Sequence, residues 1–93
     1  IVEACNYIKE HGAKDIYLCA THPVLCASAV KLLKESPAKE IILSDTIPIP
    51  LEKKLPKFKI ISIAPYLGEA IRRIHEIGSI SALFNYSFEP QFV

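Results

Sequence analysis

Methionine and tryptophan are absent from these 93 residues, and glycine occurs only three times. So few glycines leave no material for a glycine-rich phosphate cradle, which excludes a P-loop or a dinucleotide fingerprint. An excess of one charge is lacking too: eleven Lys and Arg face ten Asp and Glu, for a formal charge of +1. That balance excludes the basic face of a nucleic-acid binder and the polybasic anchor of a membrane-surface protein. No apolar run approaches the ~20 residues a membrane-spanning helix needs. The three cysteines, Cys5, Cys19 and Cys26, include no C-x-x-C pair, so neither a disulfide framework nor a zinc module is indicated. Missing as well is a basic stretch followed by an apolar core at the start, so no signal peptide is expected.

What is present is a core-forming, soluble composition, 51% hydrophobic, far above that of a disordered chain. The length allows one small domain, which buries only about 60–65% of its unfolded surface. Ile1 opens directly into helix-like sequence without a capping residue, and this, with the absent Met, sets the expectation of a piece of a longer protein. Three free thiols suggest a reducing cytoplasm. Cys5 and Cys19 fall at apolar positions and are expected to be buried. Cys26 follows an apolar loop, with nothing beside it in sequence to lower its pKa.

Periodicity divides the chain. Over residues 1–11, Val2, Cys5 and Ile8 recur at three-residue steps, which predicts a helix, and Gly12 supplies a left-handed stop. The apolar run at 16–20 predicts a strand buried on both faces, as in a parallel sheet. Thr21-His22-Pro23 breaks it. A helix is expected over 27–35, with Ala29, Val30, Leu32 and Leu33 inward and Ser36-Pro37 as its end. Residues 40–44 form a second strand. Pro48, Pro50 and Pro56 punctuate a charged surface connection. Residues 58–64 make a third strand, and Pro65 suits the first turn of a third helix. Leu67, Ala70, Ile71 and Ile74 would be that helix's inner face, and Gly78 lies past its end. The tail from Ser79 has no clear period, and its Phe84, Tyr86, Phe88 and Phe92 are expected to pack on absent chain or another subunit. The fold class is therefore α/β, with a mostly parallel sheet flanked by helices.

Ligands in open α/β sheets gather at the carboxyl ends of the strands. Two such ends are polar here, Thr21-His22 and Ser44-Asp45-Thr46. His22 reads as a general acid, a phosphate donor or a plain loop side chain. Asp45 reads as a group orienting a metal or hydroxyl, or as a turn former. Arg72, Arg73 and His75, followed by Ser79 and Ser81, form the densest anion-binding material, against the simpler reading of an exposed helix face with a serine-rich terminus. His11 and His75 read as exposed helix histidines. No complete catalytic set and no metal-ligand cluster emerges.

Several of these segments resemble a known family. Gly12-Ala13-Lys14-Asp15-Ile16-Tyr17 and Ala20-Thr21-His22-Pro23-Val24-Leu25 are similar to the carboxyl-terminal half of ribose-phosphate diphosphokinases, the phosphoribosyl diphosphate (PRPP) synthetases. Ser44-Asp45-Thr46-Ile47-Pro48 looks like their strand-end motif. Glu69-Ala70-Ile71-Arg72-Arg73-Ile74-His75-Glu76 and Ser79-Ile80-Ser81-Ala82-Leu83-Phe84 resemble their last helix and terminal motif. The blocks come in the family's order and spacing from Ile1 to about Phe84.

The resemblance implies a division into residues 1–84, the C-terminal part of a phosphoribosyltransferase-like (type I) domain, and a tail over 85–93 that departs from the commoner endings. It implies transfer of the diphosphoryl group of ATP to the C1 hydroxyl of ribose 5-phosphate, with Mg²⁺, in a cytoplasmic homo-oligomer that engages neither nucleic acid nor membrane. In the family, an acidic pair and a Thr/Gly-rich loop bind the ribose phosphate and lead into the helix that Ile1 opens here. That loop, the ATP-binding residues and the Mg²⁺ ligands lie in earlier sequence, so these residues alone are expected to be inactive. Thr21, His22, Asp45 and Thr46 are then candidates for the active-site rim. Arg73, Ser79 and Ser81 match an allosteric phosphate or ADP site of regulated members. Two other readings stand beside this one: a non-catalytic PRPP synthetase-associated regulatory subunit, and another phosphoribosyltransferase. An open sheet edge in such a piece predicts aggregation or dimerisation of the isolated chain.

Overall fold

A β-branched and leucine-rich run with no polar partner of its own must pair its backbone on both sides, and Glu40–Ser44 does so. This strand, β2, lies in the centre of a three-stranded sheet, between β1 (Tyr17–Ala20) and β3 (Phe58–Ile61). Both pairings are parallel: Leu18 stands opposite Ile41, and Ile41 opposite Phe58. The computed structural model describes residues 1–85 and 88–93. Its helices are α1 (Val2–Glu10), α2 (Ala29–Glu35) and α3 (Ala64–His75), with short 3-10 turns at Leu51–Lys53 and Ser81–Asn85.

The first helix ends where a left-handed residue was expected, Gly12 having φ +97°, a conformation that a residue with a Cβ adopts only at a cost. The loop before α2 places two non-glycine residues in the same region, Leu25 (φ 47°) and Ala27 (φ 49°). Such residues cost about 1 kcal/mol or more each. Leu25 is held there because its side chain is buried in the core and Lys53 Nζ donates to its carbonyl at 3.1 Å. A second lysine works in the same way. Lys57 Nζ donates to the Ser36 carbonyl at 3.0 Å, just past the end of α2, where a cation meets the negative end of the helix.

The core lies on one face of the sheet. Ile41 and Leu43 of β2 and Phe58 of β3 are buried together with Leu25, Leu33 and Ala38, and Val2, Leu18 and Val30 pack against them. The parallel register aligns Leu18, Ile41 and Phe58 across the strands, so one row of side chains fills the space beneath α2. Cys19 and Ile42 are aligned on the opposite face. No helix among the described residues covers that face, and here three expectations fail. Cys19, expected to be buried, is exposed; only Cys5 is buried, at 1% exposure. The first strand, expected to be enclosed on both faces, leaves Tyr17, Cys19 and Ala20 exposed, since it also forms an edge of the sheet. The apolar stripe of α3 does not dock inward either: Leu67, Ile71 and Ile74 are 55–67% exposed.

Smaller differences concern boundaries. Ala64 belongs to α3 and not to the third strand, because Pro65 sits in the helix's first turn and fixes its φ in the helical range. The second helix starts at Ala29 and not at 27, since Ala27 is left-handed. The tail also turns back on the sheet. Phe92 forms an antiparallel bridge with Ile61, with Ser62 N–H donating to Gln91 O at 2.7 Å and Val93 N–H to Ile60 O at 2.8 Å. Phe88 meets Tyr66 of α3 edge to face at a centroid distance of 4.4 Å. Two of the four tail aromatics thus contact this chain itself, while Phe84 is 89% exposed and Tyr86 lies outside the described residues.

Candidate functional site

Parallel strands leave their carboxyl ends on one edge, so the loops after β1 and β2 meet. Thr21-His22 and Ser44-Asp45-Thr46 are brought together there by side-chain hydrogen bonds. The Thr21 carbonyl accepts from Ser44 Oγ at 2.5 Å and from Thr46 Oγ1 at 3.0 Å. His22 Nδ1 lies 2.9 Å from Thr46 Oγ1, and the Thr46 backbone N–H donates to Ser44 Oγ at 3.1 Å. Ser44 is the buried member of the cluster at 8% exposure, whereas Thr21 and His22 are exposed. A small hydroxyl fits this position because the end of β2 is packed against β1, and the carbonyl beyond β1 needs a donor once water is excluded.

Asp45 turns away from this cluster. Its Oδ1 accepts the backbone N–H of Ile63, at the start of α3, at 2.8 Å. The Ser62 hydroxyl and this N–H both favour the ionised form and hold the Asp45 carboxyl below the usual carboxylate range. Asp45 therefore ties the end of β2 to the beginning of α3, with its negative charge at the positive end of that helix. Among the described residues no group of three His, Cys, Asp or Glu is placed to hold a metal ion. The residues here do not fit a Mg²⁺ site.

Open depressions flank the cluster. A shallow groove of about 380 Å³ is lined by Cys19, Thr21, Ile42, Ser44 and Ile63. A smaller hollow of about 200 Å³ is bordered by Ile1, His22, Val24 and Leu43.

The second set of candidates lies beyond the end of α3. Arg73 Nη1 donates to the Ser79 carbonyl at 3.0 Å, and the Ser79 and Ser81 hydroxyls are 2.8 Å apart. All three residues are thus brought together. The guanidinium is already engaged, since Arg73 Nε donates to Glu69 Oε1 at 2.9 Å. Glu69 also pairs with Arg72, which reaches Glu76 as well. These hydrogen bonds, that from Arg72 foremost, lower the Glu69 pKa, and the same pairing raises that of Arg72. The expected anion-binding surface therefore carries its own counter-charges. His11 and His75 are exposed, as expected.

Sequence reasoning named the strand-end motif but not the role of Ser44 or the part Asp45 takes in holding α3. Ser44 stands at the last position of a strand otherwise apolar from Ile41 to Leu43, and a buried hydroxyl there was the available signal. Glu69 was readable from its spacing to Arg72 and Arg73, three and four positions apart.

A short parallel sheet flanked by helices, with hydroxyls and an imidazole gathered at its carboxyl edge, defines part of an α/β domain. The profile of the phosphoribosyl synthetase-associated domain matches residues 1–85, and the chain belongs to that family. It is 54% identical over 84 residues to a ribose-phosphate pyrophosphokinase from Caldanaerobacter subterraneus subsp. tengcongensis, covering 90% of this chain and 27% of that protein. It is 46% identical over 85 residues to the enzyme of the same name from Bacillus subtilis, covering 91% of this chain and 27% of the relative. A crystal structure of phosphoribosylpyrophosphate synthetase from Mycobacterium smegmatis superposes with a TM-score of 0.80 at 42% identity, over 83% of this chain and 26% of that one. The chain thus spans about a quarter of the length of the curated relatives it matches, and its fold is that of the corresponding part of a phosphoribosyltransferase-type α/β protein.

Proposed function

We propose that this chain works as part of a ribose-phosphate pyrophosphokinase, which moves the diphosphoryl group of ATP to the C1 hydroxyl of ribose 5-phosphate and yields PRPP and AMP. The observation that carries this reading is the 54% identity to a pyrophosphokinase across 90% of the chain. Residues 1–84 then act as the C-terminal part of a phosphoribosyltransferase-like domain and 85–93 as a tail. Thr21, His22, Asp45 and Thr46 form one rim of the active site. Asp45 contributes by fixing α3 relative to β2, and Thr46 by holding the His22 ring at the rim. Binding of ATP, most contacts to the sugar phosphate and the ligands of Mg²⁺ are assigned to the part of the pyrophosphokinase that this chain does not span. Arg73, Ser79 and Ser81 form a site for phosphate or ADP, completed by other elements of the assembly. The unpaired thiols fit a cytoplasmic setting, and the exposed Leu67, Ile71 and Ile74 fit a homo-oligomer or cover by further chain.

The test is an assay of the intact protein with ATP, ribose 5-phosphate and Mg²⁺, following PRPP and AMP together by phosphorus NMR. Equimolar PRPP and AMP are expected. A second reading draws on the description of the matched family as a synthetase-associated domain: a regulatory subunit that keeps the fold without the reaction. Absence of PRPP, with altered turnover of a co-purified catalytic partner, would establish that reading instead.

A further inference from the structure

Five short contacts join Thr21, His22, Ser44 and Thr46; the Thr46 backbone N–H supplies the proton of one, and the side-chain protons available decide how the other four are made. A carbonyl only accepts, so each hydroxyl that meets the Thr21 oxygen must donate to it. Ser44 Oγ at 2.5 Å and Thr46 Oγ1 at 3.0 Å both meet that oxygen. Each hydroxyl carries one proton, and both protons are used in this way. Thr46 Oγ1 then has only lone pairs to offer His22 Nδ1 at 2.9 Å, so the imidazole must donate from Nδ1. This assignment gives a proton to three of the four contacts, leaving only the 3.1 Å Ser44–Thr46 hydroxyl pair without one. Giving the Thr46 proton to His22 instead would satisfy two.

We infer that His22 is held as the Nδ1–H tautomer by Thr46, and that its Nε2 serves as a hydrogen-bond acceptor for a ligand hydroxyl seated over the carboxyl ends of β1 and β2. Neutral imidazole with the proton on Nδ1 leaves the lone pair on Nε2. No described residue engages that nitrogen, and His22 is exposed at the border of the smaller depression. An acceptor selects a donor. The chemical class is therefore a polyhydroxylated sugar and not a fully ionised phosphate, which only accepts. This inference rests on the pyrophosphokinase reading for the identity of the sugar, a ribose phosphate. It assigns His22 a contact with the ribose hydroxyls, while Ser44 and Thr46 are positioning residues that act through it. Thr46 orients the ring, and Ser44 fixes the carbonyl that takes the Thr46 proton.

Two measurements on the intact protein test this. The first is long-range proton–nitrogen NMR of the His22 ring, with the resonance assigned by its loss in His22→Phe. The Nδ1–H tautomer is expected, with the Nε2 signal moving on addition of ribose 5-phosphate and the tautomer preference relaxing in Thr46→Val. The second is steady-state kinetics. His22→Phe is expected to raise KM for ribose 5-phosphate about tenfold, the scale of one lost hydrogen bond, with KM for ATP unchanged. Thr46→Val should move the same constant in the same direction by less. An Nε2–H tautomer, an unmoved Nε2 signal, or equal rises in both KM values would overturn the inference. The NMR readout needs no turnover. A protein that makes no PRPP yet shifts Nε2 with the sugar phosphate therefore fails the pyrophosphokinase reading and supports this one.

Discussion

Asp45 Oδ1 accepts the backbone N–H of Ile63 at 2.8 Å, so the carboxyl end of the central strand and the N-cap of α3 are fastened by one carboxylate. A helix N-terminus has backbone N–H groups without partners in the helix, and here the partner comes from a different element of the fold. Asp45→Ala is expected to lower the unfolding midpoint by a few degrees, and Asp45→Asn, which keeps an acceptor, by less. Circular dichroism melts would check this; equal midpoints for wild type and Asp45→Ala would show that α3 needs no such fastening.

The same bond gives the protein a pH dependence. The folded Asp45 carboxyl titrates below its ordinary value of 3.8, because Ser62 and the Ile63 N–H stabilise the anion. A folded-state pKa below the unfolded one means the native state holds its proton less tightly. The stabilisation is therefore complete above about pH 4 and is lost as pH falls through the folded value. Glu69, lowered by Arg72 and Arg73, acts in the same direction. Urea titrations from pH 6 down to pH 2 should show stability falling in acid, with a smaller fall in an Asp45→Asn, Glu69→Gln variant.

Ile41 is 2% exposed at the centre of the core face, between Leu18 and Phe58 in register. Ile41→Ala should cost about 2–5 kcal/mol and Ile41→Val about 0.5–1.5 kcal/mol. In so small a domain the first is a large part of total stability. Urea unfolding with unchanged m-values would check both.

Cys5 is buried and Cys19 and Cys26 are exposed. A thiol reagent should therefore modify Cys19 and Cys26 in the native chain and reach Cys5 only after unfolding. Mass spectrometry of the labelled protein would identify the sites, and early labelling of Cys5 would contradict the packing beneath α1.

The tail bridge at Phe92 occupies part of the outer edge of β3. Deleting residues 88–93 should expose the backbone donors and acceptors of Ile60 and Ser62 and increase self-association. Sedimentation velocity would measure the shift; a truncated chain no more associated than the 93-residue one would count against this role.

The α/β alternation was legible because each element carried its own period and its own stop: Gly12 after α1, Pro37 after α2, Pro65 inside the first turn of α3. Parallel pairing was legible from the apolar strands. Cys19 was misjudged because an apolar run shows that a strand is buried somewhere, not which face has cover. The stripe Leu67, Ile71, Ile74 was read correctly as a stripe, but a period names a face and not its partner. In the candidate site, the polar strand ends were visible as residue types. The lock between Thr21, Ser44, Thr46 and His22 was not, since it depends on two loops meeting across the strand order, which spacing along one chain does not reveal. The tail, lacking a period, gave no sign of its return to β3, because a single bridge needs only backbone groups that every residue has.

Parallel pairing also governs when the site can come into being during folding. Tyr17 meets Glu40 and Ile41 meets Phe58 only after the intervening crossover has closed, and loop closure exacts its entropy before any rung is gained. His22 and Thr46 belong to opposite sides of the first of these closures. Their hydrogen bond is thus a late event, absent from any state in which the helices alone have formed. The imidazole tautomer would then serve as a clock for sheet assembly: a folding intermediate with native helicity should still show His22 exchanging freely between its two neutral forms.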